Sequence, residues 1–131
     1  MARIEVQSSQ RMEIIDITGL IQRQVSQVGW GNGAVHLFCA HTTCALTINE
    51  GYDPAVCEDM LAIFERLAPP NFPWKHLEGN SDAHLLSSLL GVSLLVPLQE
   101  GKLILGRWQR IFLFEGDGPR KRAVLLQLFG V

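Results

Sequence analysis

Apolar residues recur along this chain at two spacings, and the changes between them outline the elements. Arg3–Gln7 and Met12–Ile17 are apolar at alternate positions, which predicts two strands. From Thr18 the spacing lengthens. Leu20, Ile21, Val25 and Val28 form one helical stripe, with Thr18 read as the N-cap and Gly29 as the stop. Ala34–Ala40 and Cys44–Asn49 return to the strand pattern on either side of a short His41-Thr42-Thr43 corner. Asp53 followed by Pro54 marks a second helix start, since proline at the first helical position gives up an N–H that has no partner there anyway. Val56, Met60, Ile63 and Leu67 supply its apolar stripe, with Glu58, Asp59, Glu65 and Arg66 on the other side. Pro69-Pro70 ends it.

A long Pro-rich loop follows, NFPWKHLEGNS, and loops of that length in small domains tend to be functional. Ser81 reads as the cap of a third helix, Asp82–Leu90, closed by Gly91. Val92–Leu98 and Lys102–Leu105 predict a hairpin around Glu100-Gly101. Gln109–Phe114 and Lys121–Phe129 predict a second hairpin across Gly116-Asp117-Gly118-Pro119. The last strand is apolar at both phases, which predicts that both its faces are covered, by the fold or by a partner subunit. About eight strands and three helices in this order indicate a single α+β domain, an antiparallel β-sandwich of jelly-roll-like character.

Composition narrows the function classes. At 131 residues, 47% of them hydrophobic, the chain has material for one real core. A net charge of −2 leaves no global attraction to nucleic acid. No apolar run reaches membrane-helix length, and the opening residues lack the apolar stretch of a secretory signal. Cys39, Cys44 and Cys57 lie among apolar residues with no C-x-x-C pair, as expected of reduced core cysteines in a cytoplasmic protein.

Three of the four histidines sit where the chain turns: His41 after a strand, His76 in the long loop, His84 in the first turn of the third helix. Neutral imidazoles suit zinc, and three with one open position is a catalytic layout, although the spacing is not a standard ligand spacing and by itself favours ordinary surface or capping histidines. With Ser81 as cap, His84 would lie near the positive end of the helix dipole, which favours its neutral form. His36 alternates within a strand and reads as structural. Glu50, Asp53 and Asp82 are the nearby acids, and Asp53 and Asp82 serve equally well as helix-start residues. Asn49 and Asn80 divide between turn chemistry and ligand contact. The segment GDGPRKR joins a tight turn to successive basic residues. Backbone N–H groups beside Arg120 would cradle phosphate, while a solvated hairpin end explains the same pattern. Trp74 and Trp108 could stack on a substrate ring, and aromatic residues of this kind more often pack in cores or interfaces.

The blocks HTTCALTINEGYDP, GNSDAHLLSSLLG and GKLILGRWQRIFLFEGDGPRKR resemble the signature blocks of the YjbQ-type family, over roughly Ile14 to the C-terminus. The resemblance implies a β-sandwich-like α+β domain assembled as a homotrimer. It also implies a secondary thiamine-phosphate synthase activity, joining an aminopyrimidine diphosphate to a thiazole phosphate with release of diphosphate. On that reading His41, His76 and His84 would hold a divalent metal, zinc first, with magnesium the alternative beside a diphosphate. Glu50, Asp82 and Arg120 would be catalytic. Asn49, Asn80, Gln109, Glu115, Asp117 and Arg120 would contact a phosphorylated ligand. A trimeric protein that binds a metal or phosphometabolite without turnover, and a metal-dependent phosphoester hydrolase, use the same residues. Cys44, Gly116 and Glu100-Gly101 depart from the family's usual residues, which bears on turn geometry and pocket lining.

Overall fold

A strand with one apolar face has to bury it, and here two antiparallel sheets do so against each other. The computed structural model describes residues 1–130. Its elements run β1 (Ala2–Gln7), β2 (Glu13–Asp16), α1 (Thr18–Val28), β3 (Gly33–Cys39), β4 (Cys44–Glu50), α2 (Pro54–Leu67), α3 (Ser81–Leu90), β5 (Ser93–Gln99), β6 (Lys102–Leu103), β7 (Gln109–Glu115) and β8 (Lys121–Phe129). One sheet has the order β1-β8-β3-β5-β6 and the other β2-β7-β4. Between them Val35, Leu37, Val124 and Leu126 meet Leu46, Ile111 and Leu113 in the main core, which Ile21 and Val25 of α1 extend. On the outer face of the smaller sheet, Phe114 and Ala45 pack with Leu86 of α3 and with Leu61 and Phe64 of α2. The α+β sandwich expected from the sequence is therefore the observed fold.

Several local expectations change. The predicted β7–β8 hairpin does not form, because the two strands belong to different sheets and the turn between them crosses the sandwich. The strand that the fold itself covers on both faces is β7, with Ile111 and Leu113 toward the inter-sheet core and Phe114 toward the helices. Strand β8 buries Arg122, Val124 and Leu126, while Phe129 on its other face is 56% exposed. Helix α2 is rotated from its predicted stripe. Phe64 meets the Phe114 ring edge-to-face at 5.5 Å, and Ile63 and Leu67 point outward. That aromatic contact, worth about 0.5–1.5 kcal/mol beyond its buried area, joins Leu61 and Ala68 on the side that faces in. Cys39 and Cys44 are buried as expected, whereas Cys57 is only half-buried on this loosely covered helix.

The caps differ too. Thr18 is the first residue of α1 rather than its cap. Asp16 Oδ1 accepts the Thr18 N–H at 3.0 Å, and Thr18 Oγ1 accepts the Ile111 N–H at 2.8 Å. Asn80, not Ser81, takes the cap position of α3, so His84 lies one residue deeper, with its N–H bonded to the Asn80 carbonyl at 3.2 Å. The dipole effect on its ring is correspondingly weaker. Asp53 does cap α2, accepting the Ala55 N–H at 2.9 Å.

The β5–β6 hairpin forms with Leu98 opposite Leu103. Glu100, at its tip, has φ = 50°, a left-handed conformation that disfavours a side chain such as Glu and tolerates Asn. Glu100→Asn is therefore expected to stabilise the fold by about 0.5–1 kcal/mol. Urea unfolding with a midpoint equal to or below that of the wild type would reject this account.

Candidate functional site

Two of the corners that carry the chain between sheets lie together at one end of the sandwich. One is His41-Thr42-Thr43, between β3 and β4. The other is Gly116–Arg120, between β7 and β8. Cys39 pairs with Val124 and Cys44 with Glu115, so the corners are neighbours. The start of α3 closes over them. A recess of 390 Å³ results, lined by His41, Asn80, His84, Asp117, Arg120 and Arg122 among others.

The glycines of the second corner are there for space. A Cβ on Gly116 would come within 2.8 Å of Ala83 Cβ and 2.9 Å of the Thr43 carbonyl oxygen. One on Gly118 would collide with the Gln10 carbonyl and sit 2.7 Å from Ser8 Oγ. The close approach of these backbones is what brings α3, the first corner and the β1–β2 connection together.

Beneath the recess lies an ion pair shut off from water. Glu115 is 0% and Arg122 4% exposed. Glu115 Oε1 accepts from Arg122 Nε at 2.8 Å and from Ser8 Oγ at 2.7 Å, and Oε2 accepts from Arg122 Nη2 and from the Asp117 N–H. Arg122 Nη2 also donates to Thr43 Oγ1 at 2.8 Å. Burial pulls the Glu115 carboxyl upward, but the hydrogen bonds from Arg122, Ser8 and Asp117 outweigh it and hold the group below the ordinary carboxylate range. Expected to touch substrate, Glu115 instead has both oxygens committed and serves to position the corner.

Arg120 stands at the rim. Its Nε donates to the Asp117 carbonyl at 2.7 Å and its Nη2 to Asp117 Oδ2 at 2.8 Å, and Asn80 Nδ2 donates to the same carboxylate oxygen at 2.9 Å. A guanidinium has five N–H donors; with two used here, three remain for a ligand. Among the described residues, Asn80 Oδ1 has no partner in a side chain 8% exposed, and Ser87 Oγ on α3, 2% exposed, has none either. Buried polar atoms without partners are rare and costly. Both of these line recesses bordered by His41 and His84.

The three turn histidines meet in this region without closing a three-ligand centre. The rings of His76 and His84 stand edge-to-face at 5.4 Å, and His76 Nε2 is 3.6 Å from Glu78 Oε2. His41 and His84 share both recesses. However, His41 Nε2 accepts the Ala123 N–H at 3.0 Å, so in the neutral ring the hydrogen resides on the other nitrogen, which is then a donor. Burial, and then the Arg122 charge, push the His41 pKa below its usual value and keep the ring neutral. Among the described residues, no three His, Cys, Asp or Glu side chains converge to hold a metal. Of the three, His76 and His84 are the pair whose rings approach each other.

Other expected residues lie elsewhere. Asp82 is 1% exposed and binds Arg11 Nη2 through both oxygens, at 2.8 and 2.9 Å. It faces a different recess, between α2 and the start of α3, with Met12, Leu61 and Ala68. Asn49, Glu50 and Gln109 occupy the opposite end of the smaller sheet, where Glu50 pairs with Gln109. At about 3.3 Å per residue, the strand from Cys44 to Glu50 puts them roughly 20 Å from the recess within one chain. Exposed Tyr52 and Trp108 stack there edge-to-face at 4.9 Å. Trp74 is packed in the helix layer, its Nε1 donating to the Pro69 carbonyl at 3.1 Å.

The fold and its end-on polar recess define a small two-sheet α+β domain. The chain belongs to the YjbQ-like UPF0047 family, whose model matches residues 2–131. It is 40% identical to a UPF0047 protein of Methanocaldococcus jannaschii, over 98% of this chain and 93% of that one. Identity to the YugU protein of Bacillus subtilis is 39%, covering 97% of both. Among solved structures, a YjbQ/UPF0047 protein from Clostridium acetobutylicum superposes with a TM-score of 0.93 at 40% identity, covering 98% of this chain and 100% of that one. A conserved protein from Thermus thermophilus gives 0.91 at 45% identity, with the same coverage.

Proposed function

We propose that the recess binds the phosphate-bearing part of a small molecule and that the protein is a thiamine-phosphate-synthase-like transferase. The observation that carries the binding reading is Arg120, fixed by Asp117 beside the unpartnered Asn80 Oδ1. Free guanidinium N–H groups and the His41 ring N–H would meet phosphate oxygens, and Asn80 Oδ1 would accept from an amine. The transfer itself is supported by the family resemblance. In it, the bond between the pyrimidine methylene carbon and the diphosphate oxygen breaks, and its electron pair leaves with diphosphate. The thiazole nitrogen supplies the pair for the new C–N bond. Such a step needs positioning and charge stabilisation rather than a side-chain nucleophile. A divalent cation held by His76 and His84, or magnesium arriving with diphosphate, would add positive charge; a zinc held by all three histidines is not part of the proposal.

The test incubates purified protein with the aminopyrimidine diphosphate and the thiazole phosphate, after chelation and after restoring zinc or magnesium, and follows thiamine phosphate by mass spectrometry. Product is expected in at least one arm. Diphosphate binding without product would favour a non-catalytic binding protein, and phosphate release without joining would favour hydrolysis.

The assembly we propose is a homotrimer. Its support is the family resemblance together with the outer face of the larger sheet, where Phe38, Leu95, Phe129 and Ile104 are 39–62% exposed beside His36. A mass in light scattering of three times 14.6 kDa is expected, and a mass of 14.6 kDa would overturn it. Among the described residues, no helix is long and apolar enough to cross a membrane. Three unpaired thiols support a reducing, cytoplasmic setting.

A further inference from the structure

The recess over Arg120 has a neighbour. A second hollow of 270 Å³ lies on the other side of the wall made by His41, Thr42 and His84, and is completed by Ser87, Ser88 and Val92. The two differ in charge. Arg120, Arg122, Asp117 and Glu78 border the first, whereas among the described residues no carboxylate, ammonium or guanidinium borders the second. The two serines also differ. Ser88 donates to the His84 carbonyl at 3.0 Å, the usual way for a helical serine to spend its hydroxyl. Ser87, 2% exposed on the buried side of α3, leaves Oγ with no partner. A buried hydroxyl left this way costs stability, which is common where binding rather than folding sets the residue.

We propose that the hollow over Ser87 is a second subsite, taking the neutral portion of the ligand whose phosphate occupies the first. Its occupant is a compact, uncharged ring or group carrying one hydrogen-bond acceptor, which receives the Ser87 hydroxyl while Val92 and the imidazole faces cover its apolar part. The subsite makes the site two-lobed and selects phosphate esters of heteroaromatic alcohols over inorganic phosphate. It rests on the phosphate reading given above.

The test uses titration calorimetry of the full chain with inorganic phosphate, benzyl phosphate and 3-pyridylmethyl phosphate, for wild type and Ser87→Ala. The two esters differ only in a ring nitrogen. Wild type is expected to bind the pyridyl ester about fivefold more tightly than the benzyl ester, the equivalent of about one ordinary hydrogen bond, and both more tightly than phosphate. Ser87→Ala should abolish the pyridyl preference and leave phosphate affinity unchanged. Its melting temperature without ligand should match or exceed that of the wild type, since the change removes an unused hydroxyl. If phosphate binds but the rings add no affinity, or the pyridyl preference survives in Ser87→Ala, the subsite is overturned and the phosphate reading stands. A lower melting temperature for Ser87→Ala would mean the hydroxyl serves the fold through ordered water, and also overturns it. If none of the three probes binds wild type, both readings fall.

Discussion

Glu115→Ala should destabilise the protein by about 3–5 kcal/mol, because it leaves the Arg122 guanidinium, only 4% exposed, without its counter-charge. The loss extends beyond charge. Ser8 Oγ and the Asp117 N–H lose their acceptor at the same time, so both the β1–β2 connection and the second corner loosen. Replacing the pair together, Glu115→Leu with Arg122→Met, should recover a substantial part of the deficit, since apolar residues of similar volume tolerate that site better than one unpaired charge. The carboxyl titrates in the folded protein below its ordinary value of 4.5. Its contribution is therefore fully present above that ordinary value and is lost as pH falls through the lower, folded value, where the unfolded chain binds more protons. Urea midpoints at neutral and acidic pH check this. Wild type should fall steeply on acidification and Glu115→Ala much less. Equal acid sensitivity would mean the pair does not govern the end of the sandwich.

Arg120→Ala should weaken binding of phosphate and diphosphate by about 1.5–3 kcal/mol, roughly ten- to a hundredfold, the range of a charge-assisted hydrogen bond. Stability should barely move. The side chain is 53% exposed, and the corner is held instead by backbone: the Arg120 N–H donates to Ser8 Oγ at 2.8 Å, and its carbonyl accepts the Ser8 N–H at 2.9 Å. Arg120→Lys should fall between, keeping the charge but losing the planar fork. Calorimetry that finds Arg120→Ala as tight a binder as wild type rejects the recess as a phosphate site.

Most strands and helices were legible because each carries one apolar period, and the Asp53-Pro54 start of α2 carries its own capping chemistry. Connectivity was less so. Gln109–Phe114 and Lys121–Phe129 look like a hairpin because a glycine-proline turn separates them, and nothing local distinguishes a turn within one sheet from a step between two. The alternation did hold a clue: Arg122 shares its phase with Val124 and Leu126, so it had to be buried and in need of an acid. The rotation of α2 depended on the contact of Phe64 with Phe114, far along the chain, which no window over the helix contains. In the site, His41, His84, Asn80, Asp117 and Arg120 were found as turn residues and do share a recess. Ser87 was missed because an unspent hydroxyl is a property of three-dimensional surroundings. Glu50, Asn49 and Gln109 were grouped with the site by motif, and the length of β4 separates them from it.

The first strand is joined to its sheet only through the last. Ala2 lies opposite Leu126, and β8 stands between β1 and β3. On the ribosome, then, β1 emerges first and waits for a partner until Lys121–Phe129 has been made. Contacts this distant along the chain close slowly, at the entropic cost of looping everything between them. Until then the edge of β3 that β8 will cover is also unpaired, so two strand edges are exposed to association with other chains while the protein is being made.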